Sequence, residues 1–423
     1  MSLIIMANIL FLILCFLSIE VLTQTICPTG FKIINQNKCV KIFAQKLKHF
    51  DAEEECKNYG GTLVTIKNAL DNRAIATLAA SAYLNTVWLG LFCFGSGNDT
   101  SCYHDDNSGP MIYSNFQGER GNGGCVFMQA FKKPAGGWTS TSCAVAGMPF
   151  ICEVPMTNPD PTCSHNYNGY CYMPSHELVK NAPASSFLDA RAICASNGAD
   201  LVSIHSKLEL DYVRALYRNT ETRRIYLGAE AWANTIHWID RTMWDYDNRN
   251  PLARNNGSCL SMDLALRPNA GLWSRTSCED EIVFLCKRRN PGIEVAPVAK
   301  AIAQASSKSP THVLDASNCN TTLFMSPGIV TSFGYPDAKP PVTTCTWNLA
   351  ALGPYRIGLY FTDFSLCLSL YIYDENGNLL GEPGYDIEPF QLLAPGNVVT
   401  MTHDSNYDAK YGYHGFSATV LPF

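Results

Sequence analysis

Hydrophobic and polar positions change period several times along the chain. Between residues 185 and 197, Phe187, Ala190, Ile193 and Cys194 recur at helical spacing, and Gly198 supplies a stop. Residues 201–204 (LVSI) form a short apolar run, the pattern of a buried strand. Leu208, Tyr212 and Leu216 then return to one side of a helix. Tyr226-Leu-Gly reads as a strand, residues 240–258 are loop-rich in Asp, Asn, Arg and Gly, and residues 283–286 close with a buried strand. From Cys319 the apolar positions alternate as strands do, through 327–336, 345–347, 357–361, 370–373, 398–404 and 415–420. Mixed α+β structure is expected first and all-β structure afterwards.

The text around residues 185–286 has an earlier counterpart. Phe50-Asp-Ala before Cys56 matches Phe187-Leu-Asp-Ala before Cys194 with a one-residue slip. Gly61-Thr-Leu-Val-Thr-Ile66 matches Ala199-Asp-Leu-Val-Ser-Ile204, and Trp88-Leu-Gly matches Tyr226-Leu-Gly. Trp138 and Trp273 stand at the same distance before a cysteine. The cysteines agree as well: Cys56, Cys125, Cys143 and Cys152 follow nearly the same spacing as Cys194, Cys259, Cys278 and Cys286. Each set is preceded by a closer pair, Cys27/Cys39 and Cys163/Cys171. A shared offset of about 135 residues marks an internal repeat.

Composition changes the picture at two points. The 423 residues suffice for roughly three domains, and 47% hydrophobic content against 16% charged supplies packed cores. A net charge of −6 argues against a general nucleic-acid binder, which needs a basic face. Eighteen cysteines without C-x-x-C pairs read as disulfides of an oxidising compartment. Residues 9–17 (ILFLILCFL) suit the apolar core of a signal peptide and are too short to span a bilayer. Residues 1–23 are therefore expected to be a signal peptide, cleaved between Ser18 and Thr25, and the protein to be secreted and extracellular with no membrane span. Asn98, Asn256 and Asn320 stand in N-x-S/T acceptor sequences.

With these residues in hand, both repeats resemble C-type lectin-like domains of the long form, over residues 27–154 and 163–288. The helix before the first long-range cysteine, the Trp-Leu-Gly strand and the four cysteines carry the match. The resemblance implies the pairs Cys56–Cys152, Cys125–Cys143, Cys194–Cys286 and Cys259–Cys278, with Cys27–Cys39 and Cys163–Cys171 closing N-terminal hairpins. Cys93–Cys102 is then an extra bridge in the first repeat. Residues 155–162 form a Pro-rich joint, and 289–318, rich in Ala, Ser and Pro, a linker. Residues 319–421 resemble a CUB domain, an all-β sandwich, through Gly334-Tyr-Pro336, Cys345-Thr-Trp347 and Gly415-Phe416. A Cys319–Cys345 bridge is expected there. Cys367 lacks a partner, and is read either as a buried free thiol or as the site of a disulfide dimer. The aspartate expected just after it is replaced, with Ser369 nearest, which argues against a calcium-bridged partner site despite Asp363 and Asp404.

Sugar-binding members of the lectin family hold calcium with a Glu-Pro-Asn or Gln-Pro-Asp loop and a Trp-Asn-Asp strand. Here the strands read Trp138-Thr-Ser140 and Trp273-Ser-Arg275. The loops offer Glu119-Arg-Gly121 in the first repeat and either Asn250-Pro-Leu252 or Ala253-Arg-Asn255 in the second. Calcium needs six to eight oxygens, several of them carboxylate, and Arg275 is a cation in a ligand's place. No cofactor and no sugar-bridging calcium is expected; a different calcium site on Asp245, Asp247 and Asp263 stays open beside a solvated loop. The candidate calcium-free ligand surface is Trp244, Tyr246, Asn248, Arg249, Arg254, Asn255 and Arg275, because aromatic faces stack on sugars and Arg forks suit carboxylate or sulfate. The same groups suit a protein partner. An Asn256 glycan would crowd that loop, and Trp138 and Trp273 read as core.

Catalysis finds little support. His176-Glu177 lacks the second histidine of a zinc-protease helix, and neither a G-x-S-x-G elbow nor a phosphate loop is present. The resemblance implies recognition of carbohydrate or microbial surfaces in innate defence; the alternative is a protein–protein adaptor or matrix component without sugar affinity.

Overall fold

A computed structural model of the chain describes residues 27–35, 37–94, 101–118, 124–131, 135–157, 160–180, 184–232, 235–254, 256–265, 270–291, 321–324, 328–336, 342–351 and 355–423. The expected signal peptide, residues 292–318 of the linker, Asn98, Glu119, Asn255, Cys319 and Asn320 lie outside the described residues. Among the described residues no helix is long and apolar enough to cross a membrane.

Among the described residues each repeat has two longer helices, His49–Lys57 and Ala69–Ser81 in the first, Phe187–Ser196 and Lys207–Leu216 in the second, which also has the short helix Ser175–Leu178. Ser186 and Ser206 cap the second pair by accepting the backbone N–H groups of Asp189 and Glu209, and Asn68 does the same for Asp71. The last strand of each repeat holds its sheet together. Met148–Val154 pairs antiparallel with Lys38–Leu47 and parallel with Thr86–Phe94. Ile282–Arg289 pairs in the same two ways with Tyr170–Pro174 and Arg224–Trp232. The beginning and end of each repeat therefore meet.

The run at residues 201–204 is less regular than its pattern implies. Only Asp200–Leu201 pairs as a strand, and Val202 continues past the sheet, donating to Leu285 O and accepting from Gly228 N–H. This passage explains the glycine of the Tyr-Leu-Gly motif. A Cβ at Gly228 would collide with the Leu201 carbonyl oxygen, and one at Gly90 with that of Leu63. The residue before each Leu-Gly, Trp88 or Tyr226, is fully buried and donates to backbone carbonyls.

Seven disulfides join Cys27–Cys39, Cys56–Cys152, Cys93–Cys102, Cys125–Cys143, Cys163–Cys171, Cys194–Cys286 and Cys259–Cys278. These are the pairs the resemblance implies. Cys345 is disulfide-bonded, but its expected partner lies outside the described residues. Cys367 is a free thiol, half-buried rather than buried.

The Pro-rich joint is packed rather than loose. Asp160 pairs with Arg288 and accepts from Thr162, while Thr157 accepts from Gly169 N–H. Beyond the linker, one sheet holds Thr321–Phe324, Thr344–Ala350, Val398–Asp404, Tyr371–Asp374 and Leu379–Gly381. The other holds Gly328–Thr331, Gly415–Pro422, Ile357–Leu366 and two shorter strands. Trp347, Ile372 and Met401 of one share a core with Phe361, Phe416 and Val420 of the other, an arrangement compatible with a β-sandwich.

Each repeat also buries one ammonium group against a carboxylate, with the charges interchanged. In the first, Lys38 on the N-terminal hairpin meets Glu153, the residue after Cys152, at 2.5 Å. Thr65 donates both its N–H and its hydroxyl to the same carboxylate. In the second, the residue after Cys286 is the cation: Lys287 meets Glu209 at 2.5 Å and donates to Ser203 O at 2.9 Å. The position matching Lys38 is Tyr170, whose ring lies 4.3 Å from Lys287 Nζ. Removing one partner strands a buried charge. Lys287→Met should cost about 3–5 kcal/mol, read as a lower urea midpoint, and the Lys287→Met/Glu209→Met double variant should recover most of it.

A second buried group titrates. Burial pushes the Glu53 carboxyl up to about 6 and the Asp105 carboxyl well above its usual range, and the Glu53 charge adds to the rise at Asp105. Burial pushes nearby His49 down to about 4. The Asp105 carboxyl holds its proton to higher pH in the folded state than in the unfolded state. The folded state then binds more protons, and stability falls as pH rises. Asp105→Asn should remove this contribution, so the stability advantage of wild type over the variant should shrink as pH rises above the usual carboxylate range, read from melting temperatures of both proteins across pH; a difference that does not change with pH would contradict this assignment.

Candidate functional site

The loop after residue 240 of the second repeat is built from the inside outward. Trp238 stacks on Trp244 at 4.7 Å between ring centres, and both meet the Trp273 ring edge-to-face at 5.6 and 5.7 Å. Tyr246 meets Trp273 at 5.6 Å. Trp238 and Trp273 are fully buried, Trp244 and Tyr246 partly so. Burial also holds the Tyr246 phenol well above its usual range. Trp244 packs its face on Trp238 and Tyr246 meets Trp273 edge-to-face, so both ligand-surface candidates are half-buried against the aromatic core.

Asn248 is more deeply enclosed. It is 4% exposed, and its amide donates to Gly271 O at 2.8 Å while its carbonyl accepts from Trp273 N–H. Asn115 repeats the arrangement in the first repeat, donating to Gly136 O at 2.7 Å and accepting from Trp138 N–H. The asparagine ties the loop to the following strand. Each Asn precedes its Trp within the repeat, and that repeated order was the signal available in the sequence.

What remains on the surface is cationic. Arg249 and Arg254 are exposed, and Arg275 is half-buried on the strand Trp273–Thr276, opposite Leu260. Arg249 folds back onto Asp247 with three hydrogen bonds. The carboxylates of the open calcium alternative are separately engaged: Asp245 with His205 at 2.7 Å, Asp247 with Arg249, and Asp263 with the N–H of Ala265. Among the described residues no three His, Cys, Asp or Glu side chains converge as a metal site would require. Asn256 is exposed beside Arg254.

One line of residues escaped the sequence reading. Ser203 Oγ lies 3.0 Å from His205 Nε2, and His205 Nδ1 lies 2.7 Å from Asp245. This is the order of an acyl-transfer triad, but the proton runs the wrong way. Ser203 is fully buried and donates its hydroxyl to Asp240 at 2.6 Å. Burial works to raise the Asp240 carboxyl, and hydrogen bonds from Ser203 and Thr242 outweigh it, holding the group low and ionised. A nucleophile must reach solvent and hand its proton to the histidine. This hydroxyl does neither.

In the C-terminal sheets, Asp363 accepts from Tyr335 and faces His414, and Asp404 accepts from Asn406 N–H. Asp408, unforeseen from sequence, is buried and bridges Cys367 N–H and His403.

Comparison with known proteins adds the family. Residues 45–154 and 184–288, half of the chain together, match the family model of the Lectin C-type domain. The chain belongs to the C-type lectin family. Its two lectin domains are similar to those of C-type lectin domain-containing protein 38 of Caenorhabditis elegans, 33% identical over 273 residues, which cover 63% of this chain and 68% of that protein. Human C-type mannose receptor 2 is 24% identical over 269 residues, 58% of this chain but 17% of the receptor. Human lithostathine, a solved structure, is 24% identical, with 31% of this chain covering 100% of that one at a TM-score of 0.27. Membership places the lectin domains among proteins that generally recognise ligands rather than catalyse reactions, and seven disulfides fit an extracellular setting. An active-site fluorophosphonate should leave Ser203 unlabelled in intact protein, checked by peptide mass spectrometry; labelling would restore the enzymatic reading.

Proposed function

We propose that this chain is a secreted recognition protein whose lectin domains bind anionic carbohydrate or microbial-surface ligands without a sugar-bridging calcium ion, in innate defence. The observation that carries the reading is the second domain's loop surface. Its carboxylates are engaged with His205, Arg249 and a backbone turn, Arg254 is exposed on the loop, and Arg275 is half-buried on the strand Trp273–Thr276. An arginine fork suits carboxylate or sulfate groups. Asn255, between Arg254 and Asn256, belongs to the same proposed surface. Residues 1–23 are proposed as the signal peptide and residues 319–421 as a CUB domain, with the domain bounds given from the sequence. Asn98, Asn256 and Asn320 are proposed glycan acceptors, and half-buried Cys367 a site for a disulfide dimer.

A specific observation favours the second reading, an extracellular protein adaptor or matrix component. Trp244 and Tyr246, the aromatic groups that would stack on a sugar, are turned inward onto Trp238 and Trp273. The test is binding of the purified protein to sialylated and sulfated glycans and to whole bacteria, with calcium and with chelator. Binding should persist in chelator, and Arg254→Ala should weaken it about tenfold, the loss of a charge-assisted hydrogen bond worth about 1.5 kcal/mol. Binding lost in chelator contradicts the calcium-free reading. Absence of binding in both conditions favours the adaptor.

A further inference from the structure

The two lectin domains and the C-terminal sheets meet at one tyrosine. Tyr355, just before the strand Ile357–Leu366, is 5% exposed. Lys57 Nζ of the first domain lies 4.5 Å from its ring centre, and Lys207 Nζ of the second lies 4.8 Å from it. Those lysines sit at the end of one helix, His49–Lys57, and the start of another, Lys207–Leu216. Two ammonium groups near one ring repel each other, and the carboxylates beside them offset this. Lys57 pairs with Glu54, and Lys207 with Asp211, which Arg214 also approaches. Burial lowers the Lys207 ammonium to about 8, as enclosure by a third body requires. Cation–π attraction gains strength when desolvated in this way.

The lectin domains also touch each other directly beside this point. Tyr167 of the second domain donates to Gly60 O at 2.7 Å and stacks on Tyr212 at 4.1 Å. Gly60 has φ +69°, and a Cβ there would lie 2.7 Å from both tyrosines. A second contact fastens the C-terminal sheets to the second domain: Leu252 and Leu272 pack with Tyr360, Leu393 and Leu421. Leu252 belongs to the same loop as Arg249 and Arg254.

We propose that the C-terminal sheets are an intramolecular clamp, with Tyr355 wedged between the two lectin domains and the Tyr360–Leu421 face seated on the second domain's loop at Leu252. The clamp fixes the relative orientation of the two lectin domains and covers part of the loop beside the arginines. A ligand or partner that needs the whole loop must first displace it. The clamp does not depend on what the loop binds, so its test uses no ligand.

The experiment is hydrogen–deuterium exchange with small-angle X-ray scattering on the full chain, comparing wild type with Tyr355→Ala, Tyr355→Leu and Tyr355→Phe. Backbone amides of residues 248–254 and 207–216 should exchange at least about tenfold faster in Tyr355→Ala, with a larger radius of gyration. Tyr355→Phe keeps the ring and should behave as wild type, while Tyr355→Leu keeps apolar bulk without a π face and should loosen. Unchanged protection of the strands Thr86–Phe94 and Arg224–Trp232 shows that the lectin domains remain folded, and Leu252→Asp gives a second route to release if a Tyr355 variant does not fold. Equal exchange and equal dimensions in all five proteins would overturn the clamp, as would wild-type residues 248–254 exchanging at the rate of an open loop.

Discussion

The constraint on which the rest of the lectin portion depends is the long-range disulfide in each repeat. Cys56–Cys152 and Cys194–Cys286 span 96 and 92 residues, and each ties the first helix to the closing strand. The chain between pairs strands of its own, Thr86–Phe94 with Cys125–Gln129 and Arg224–Trp232 with Cys259–Asp263, but these are joined by long loops, so the unfolded chain has much entropy to lose. Closing a loop of that length restricts the unfolded state by about 4–5 kcal/mol in the chain-entropy model. The same closing strand carries the residue, Glu153 or Lys287, that completes the buried ion pair. One covalent constraint and one ionic pair therefore meet at adjacent positions, and the cores of Trp88 and Tyr226 assemble around them.

The interchange of charge between the repeats carries a structural meaning. In both, a lysine ammonium sits between a hydroxyl and a carboxylate of the chain itself, and in the second it also donates to the Ser203 carbonyl. Lys38 comes from the hairpin in one repeat and Lys287 from the last strand in the other. At the second domain's loop, Arg249 draws in Asp247 and His205 draws in Asp245. The three carboxylates of that loop are thus engaged within the protein, Asp247 with Arg249, Asp245 with His205 and Asp263 with the Ala265 N–H. The proposed anionic-ligand reading rests instead on the arginines of that loop, of which Arg254 is exposed.

Much of the fold was legible because its signals were local and repeated. The Trp-Leu-Gly and Tyr-Leu-Gly motifs, the helix spacing through Phe187 and Cys194, and the duplicated cysteine order each follow from a backbone contact, a packed face or a covalent bond. The loop surface was legible only in part. Composition made Trp244, Tyr246 and Asn248 look like ligand contacts, yet nothing in a single sequence tells which way a loop aromatic turns. Their inward direction depends on Trp238 and on the Asn248–Gly271 hydrogen bond, partners brought together by the fold. The Ser203–His205–Asp245 line and the Tyr355 junction were illegible for the same reason, since each joins residues from separate elements. Cys367 has no disulfide partner among the described residues, and its half-exposure came only from the structure.

The central claim is that the lectin domains carry their own cations and recognise ligands without calcium. The most direct measurement is a calcium titration of the purified full chain, followed by calorimetry and by melting temperature in chelator and in millimolar calcium. The account predicts no saturable heat and no stabilisation by the ion. A saturable site whose occupancy raises the melting temperature, as ligand binding to the folded state must, would contradict it.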